Sequence, residues 1–242
     1  MSYHNRKEPA FSKIRSLLFY LSQQPSKRDQ TAPLLEYWIE HVLYPEHSVT
    51  TEELVSEVES GAWDFNASSY ASAGHVARFL KEFRDCPHRS ERAKSFVTQL
   101  CTRWFLWFGI ASLSDGDLRN RNNVYCRVSR NGGYGFISAA SFVGHLVEWG
   151  LLDSDLVRQH LVKPLICHLD NNIIDRDSPA AFRTNAIYQL FVAAGNALLQ
   201  GLLEPDDVEA CLTRLGEQSQ WIDGFDEAKL KVTSRGFLHW VR

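Results

Sequence analysis

The chain has 242 residues, 44% of them hydrophobic, 12% aromatic and 23% charged, with a formal net charge of −3. This is an ordinary soluble globular composition, and length alone leaves one large domain or two small ones open. No apolar run approaches the roughly 18 residues that a membrane span needs, and Met1 to Ala10 is polar, without a secretory hydrophobic region.

The five cysteines, Cys86, Cys101, Cys126, Cys167 and Cys211, are odd in number and widely spaced, with no C-x-x-C. That pattern points to reduced thiols in a cytoplasmic or nuclear protein.

Apolar spacing predicts a first helix from about Phe11 to Gln24, with Ile14, Leu17, Leu18 and Leu21 on its buried stripe. Gln23 to Gln30 reads as a polar connector. A second helix is expected from Pro33, with Leu34, Leu35, Trp38, Ile39, Val42 and Leu43 on one face, stopping before Pro45. Thr50 and Glu53 form a capping box for a short third helix, and Gly61 to Ser69 reads as loop. A fourth helix is expected over Tyr70 to Asp85, burying Val76, Phe79, Leu80 and Phe83 before Pro87 breaks it. A fifth runs from Ser90 to about Leu113 and carries Phe96, Val97, Leu100, Trp104, Phe105 and Phe108. As the most aromatic element, it is expected to be central.

Asp115 to Gly135 is the one long irregular segment, rich in asparagine, basic and ended by glycine. Three helices follow with their turn chemistry spelled out. Phe142, Val143, Leu146 and Val147 make one apolar stripe, and Gly150 sits where a helix end needs a left-handed residue. Asp153 is placed to cap the next helix, which carries Leu156, Val157, Leu161, Val162, Leu165 and Ile166, with a kink expected at Pro164. Ser178-Pro179 opens the third, with Ile187, Leu190, Phe191, Ala194 and Leu198 as its stripe. Glu204-Pro205-Asp206 starts another, using Val208, Cys211, Leu212 and Leu215, and a last helix is expected over Glu227 to Trp240.

The expected fold is therefore all-α: a single domain over 1–242, with nine or ten helices and a long loop at about 114–135. The helices pair with a rhythm of about 40 residues, as in an α-solenoid of stacked antiparallel pairs. Such scaffolds point to binding and away from catalysis. The chain stops on Trp240-Val241-Arg242, directly after an apolar pair, which fits an excerpt of a longer protein.

Phe142-Val143-Gly144-His145-Leu146-Val147-Glu148-Trp149-Gly150-Leu151-Leu152 resembles a signature helix of the middle domain of translation initiation factor 4G. Asp153 to Ile166 and Asn185 to Gly195 resemble the helices that follow it in that family, so the likeness covers about a quarter of the chain. The resemblance implies a crescent of HEAT-like helix pairs that holds a protein partner such as a DEAD-box RNA helicase, and in some members RNA. His145 stands where the family usually has an acid, and the loop from Asp170 to Ser178 is long. No helicase-binding residue is carried over.

Charge is strongly segregated. Asp29 to Ala77 holds nine acids and no Lys or Arg. Arg78 to Gly135 holds eleven basic residues against five acids, and Glu148 to Ala228 holds fourteen acids against five bases. Such a pattern makes a field that can steer a partner. The candidate binding residues lie on this basic belt: Arg78, Lys81, Arg84, Arg89 and Arg92, then Arg119, Arg121, Arg127 and Arg130. Tyr125 and Tyr134, in the loop, could stack on unpaired bases of single-stranded RNA. The plainer reading is a solvated basic face that pairs with the acidic segments of the same chain. An isoelectric point near 6.3 favours it. An acidic protein partner fits the belt equally well.

Asn131-Gly132-Gly133-Tyr134-Gly135 lacks the glycine spacing and the Lys-Ser/Thr of a phosphate loop and reads as a lead-in to the next helix. Asp170 to Asp177, with Cys167 and His168, fails calcium and zinc spacings and reads as an acidic surface loop. His75, His145 and His239 flank apolar stripes, where histidines are usually packed. No catalytic constellation, metal site or cofactor motif stands out, and the oligomeric state is open.

Overall fold

A computed structural model describes residues 21, 24–40, 70–111, 133–167, 173, 175–176, 178–194, 205–222 and 224–226. Every regular element among them is helical and none is a strand, so the fold is all-α. We number the helices α1 (Arg28–Trp38), α2 (Tyr70–Asp85), α3 (Glu91–Ala111) and α4 (Gly133–Glu148). The fifth, α5, runs on through Ser154–Val157, Arg158–Val162 and Lys163–Cys167. It is followed by α6 (Pro179–Ala194) and α7 (Pro205–Glu217). The first expected helix (Leu21 and Gln24 aside), the capping box at Thr50, the loop at 61–69, most of the long loop and the last expected helix lie outside the described residues.

Two boundaries differ from the sequence-based expectation. Helix α1 begins at Arg28, preceded by a helical turn Pro25–Lys27, so the expected connector is largely helical and Pro33 is inside the helix. Pro33 is exposed, where water can satisfy the carbonyl its missing N–H leaves unbonded. The hydroxyl of Thr31 donates to Lys27 O at 2.9 Å and ties down the first turn. On this helix Leu35 and Ile39 are buried, but Leu34 is 48% exposed and leaves the expected stripe. The second difference is the start of α4 at Gly133, which makes Gly133, Tyr134 and Gly135 helical instead of irregular. Glycine in a helix costs about 1 kcal/mol. The almost continuous burial from Ala139 to Leu146 outweighs it.

Helices α2 and α3 follow the expected pattern. Val76, Phe79, Leu80 and Phe83 are buried on α2, and Phe96, Val97, Leu100, Cys101 and Phe105 on α3. The hydroxyl of Ser90 accepts from Ala93 N at 3.1 Å, an N-cap that starts α3 just after the break at Pro87.

The α4–α5 hairpin is built from local chemistry. Gly150 has φ +63, so the chain reverses where a side chain would be strained. Leu151 N donates to Leu146 O at 2.8 Å and Gly150 N to Val147 O at 3.0 Å, the paired bonds of a Schellman stop. Asp153 Oδ1 then accepts from Asp155 N at 2.7 Å and Leu156 N at 3.0 Å, capping α5. Pro164 does not break α5. The backbone widens over Arg158–Val162, and Lys163 N donates five residues back to Arg158 O. This wide turn absorbs the bond that proline cannot make.

The described side chains of α3 do not carry the expected centrality, which belongs among the described residues to α6. The outer side of α3 carries exposed Glu91, Arg92, Ser95 and Thr98, whereas α6 is buried on almost every side from Pro179 to Ala194. Arg183 is the only charged residue of α6, and a helix with no polar face is a buried helix. The hydroxyl of Ser178 caps it, accepting from Ala181 N at 3.2 Å.

Packing follows a simple order. The most extensive helix pair is α4 with α6, and the next is α2 with α4. Gly144 lets α4 approach α6, since a Cβ there would lie 2.8 Å from Leu190 O. At Gly74 of α2 a Cβ would lie 3.1 Å from the imidazole of His145 on α4. One continuous cluster of buried apolar side chains runs from Leu21 and Leu35 through these helices to Cys211, Leu215 and Ile222.

After α7 the described residues 218–222 and 224–226 form a strap across α6. Thr184 Oγ1 donates to Gln218 Oε1 at 3.0 Å, and Asn185 Nδ2 to Trp221 O at 2.6 Å. The Tyr188 hydroxyl accepts from Asp226 N at 2.7 Å and donates to Gly224 O at 3.4 Å. Its ring lies 5.3 Å from that of Phe225. Burial pushes the pKa of Tyr188 up, so the hydroxyl keeps its proton and both of these roles.

Candidate functional site

The described half of the basic belt is largely matched by acids. Arg89 reaches back to Glu36 on α1, with its guanidinium 5.1 Å above the Phe83 ring. Arg92 meets Glu40 at 3.7 Å, and Ser90 bonds the same carboxylate. Lys94 pairs with Glu91 at 2.7 Å and Arg84 with Asp85 at 2.8 Å. Arg84 also donates to Gly150 O at 3.0 Å, tying α2 to the α4–α5 turn. These contacts join residues up to 66 positions apart, and those made by Arg89, Ser90 and Arg92 fasten the C-terminal end of α1 to the α2–α3 corner. Exposed pairs of this kind each contribute about 0–1 kcal/mol. Their effect here is to remove free charge from the surface.

Arg78 and Lys81 are arranged differently. They stand three residues apart on α2, hence on one side of it. Arg78 Cζ lies 5.8 Å and Lys81 Nζ 5.7 Å from the centroid of the Trp149 ring, at the end of α4. Trp149 is partly buried and packs against the core. Two cations on one indole contribute about 0.5–1 kcal/mol each at an exposed position. Arg78 Nε also donates to Glu82 at 2.9 Å, while Arg28 Nη1 from α1 contacts both oxygens of Glu82 at 3.2 and 3.1 Å.

Of the expected binding residues, the fold thus brings together Arg78, Lys81 and Arg84 around Trp149 and Gly150. It sends Arg89 to Glu36 on α1 and Arg92 to Glu40, two residues beyond it. Tyr134 lies in the first turn of α4, not in the loop. Arg119, Arg121, Tyr125, Arg127 and Arg130 lie outside the described residues. Trp149 and Arg28 are the partners that the sequence did not single out. Nothing in the spacing signals them, because their meeting with α2 is purely tertiary.

Among the described residues no group of three His, Cys, Asp or Glu is placed to hold a metal ion, and no helix is long and apolar enough to cross a membrane. His145 is packed as expected, Nδ1 lying 2.9 Å from Glu148 Oε2. His75 is exposed instead. Cys86, Cys101 and Cys211 are free. Burial pushes the thiols of Cys101 and Cys211 up to about 12, which keeps them protonated and unreactive.

The chain matches no protein-family model, no curated protein and no solved structure.

Proposed function

We propose that this chain is a non-enzymatic interaction scaffold, an α-solenoid of antiparallel helix pairs that presents a preformed surface to a protein partner. The observation that carries this reading is the row formed by alternate helices. Helix α4 packs on α2 and on α6 more extensively than on its sequence neighbours α3 and α5. Stacking of every second helix is how helix-pair repeats bury their faces, and the outcome is a stiff body with a large exposed surface. A stiff surface binds with little rearrangement and loses little entropy in doing so.

The likeness of residues 142–152 to the middle domain of initiation factor 4G supports a partner in RNA metabolism or translation, such as a DEAD-box RNA helicase, in the cytoplasm or nucleus. Under this reading the cations and Trp149 on the α2–α4 side are the contact surface.

The experiment is affinity capture from cell lysate, with and without ribonuclease, read by mass spectrometry. Protein partners that persist after ribonuclease support the scaffold. Partners lost with ribonuclease transfer the function to direct RNA contact through the belt at 78–135. Empty captures in both arms sink the scaffold reading.

A further inference from the structure

We infer that Arg78, Lys81 and Trp149 form an anchor for an acidic segment of a partner protein; this rests on the scaffold reading above. The cations have donors to spare. An ammonium carries three N–H groups, and the sole contact of Lys81 among the described residues is the indole, 5.7 Å from Nζ to the ring centroid. Arg78 commits Nε to Glu82, while its two terminal nitrogens make no bond among the described residues and present the forked edge that grips a carboxylate.

Glu82 adds little neutralisation, because Arg28 already holds both of its oxygens. Asp29 lies 3.9 Å from Arg28 Nε, so two acids stand among three cations and Lys81 has no carboxylate of its own among the described residues. Arg78 is also well exposed, its side chain 53% accessible. Resting on Trp149, both long side chains have part of their rotamer freedom removed before any partner arrives, which lowers the entropy lost on binding. Trp and Arg are also the residue types that carry most of the energy at protein interfaces.

The compactness of the patch selects a protein over a nucleic acid. Arg84, Arg89, Arg92 and Lys94 each have a carboxylate of their own. Among the described residues what remains is a spot of positive charge beside an aromatic ring, not a stripe along which a phosphate backbone could run.

Fluorescence anisotropy with a labelled oligoglutamate peptide tests the anchor, with labelled oligouridine in parallel. The proteins are wild type, the pair Arg78→Glu with Lys81→Glu, and the neutral pair Arg78→Gln with Lys81→Gln, which adds no repulsion towards Glu82. The expected result is peptide binding that weakens with salt and falls by about tenfold or more in both pairs, with the neutral pair still folded and its melting temperature lowered only by the few degrees that the lost ring contacts account for. No peptide binding by wild type, equal binding by all three proteins, or preferential binding of oligouridine lost in the variants would each overturn it. Ribonuclease-resistant capture of the same proteins by wild type and variants would show that the anchor fails while the scaffold stands.

Discussion

A methyl group on Gly144 would stand 2.8 Å from the Cβ of Ala193. That single distance explains how α4 and α6 come close enough to form the most extensive packing in the fold. It also separates this glycine from the others. Gly150 and Gly216 have open space where a Cβ would go, and Gly150 is needed only for its left-handed backbone.

Substituting Gly144→Ala is therefore expected to destabilise the protein by about 1–3 kcal/mol, despite the better helix propensity of alanine. Adding Ala193→Gly is expected to recover only part of the loss, because Leu190 O stays 2.8 Å from the new methyl. Gly216→Ala, on α7 and in open space, is expected to stabilise by up to about 1 kcal/mol. Urea unfolding of the three variants reads these signs directly, and a neutral Gly144→Ala would mean the helices can separate without penalty.

The buried thiols give a pH dependence. Cys101 and Cys211 have pKa values raised from 9.0 to about 12 in the folded chain. Above pH 9 the unfolded chain releases these protons while the folded chain keeps them, so stability is full below pH 9 and falls as pH rises towards 12. The slope is about 1.4 kcal/mol per pH unit for each thiol. Cys101→Ala is expected to flatten this alkaline fall. Chemical denaturation between pH 8 and about 10.5, within that window, checks it, and identical slopes for variant and wild type would refute the assignment.

The two long-range arginines should behave unequally. Arg89 is only 19% exposed, covers Phe83 and holds Glu36, so Arg89→Ala is expected to cost about 1–2 kcal/mol through lost packing and a stranded carboxylate. Arg92 is 46% exposed in a 3.7 Å pair, and Arg92→Ala is expected to change stability by less than about 0.5 kcal/mol. Thermal melts of both variants in low and high salt distinguish them; equal losses would contradict the burial difference.

What could be read in the sequence was chemistry that acts over a few residues. The caps at Asp153 and Ser178, the stop at Gly150 and the apolar stripe of α2 each express a rule satisfied within one or two turns. Pro33 and Gly133 misled because the cost each imposes locally is exceeded by burial elsewhere on the same helix. The centrality of α6 had a signal, its near absence of charge, but the aromatic content of α3 was the louder one. The arrangement of Arg78 and Lys81 over Trp149 joins residues about 70 positions apart, and no periodicity encodes such a meeting. Gly144 lies in the stretch that carries the resemblance. The physical reason for a glycine there, a neighbouring backbone at contact distance, exists only in the folded chain.

The strap across α6 has one more consequence. Arg176, Asn185 and Tyr188 direct four hydrogen bonds at main-chain atoms of Gln220, Trp221, Gly224 and Asp226. Main-chain amides and carbonyls are alike in nearly every amino acid. At these atoms the segment is fastened by the path it follows, so exposed Gln220 is free to change while the clasp stays shut, whereas Gly224, at φ +67, must remain a glycine.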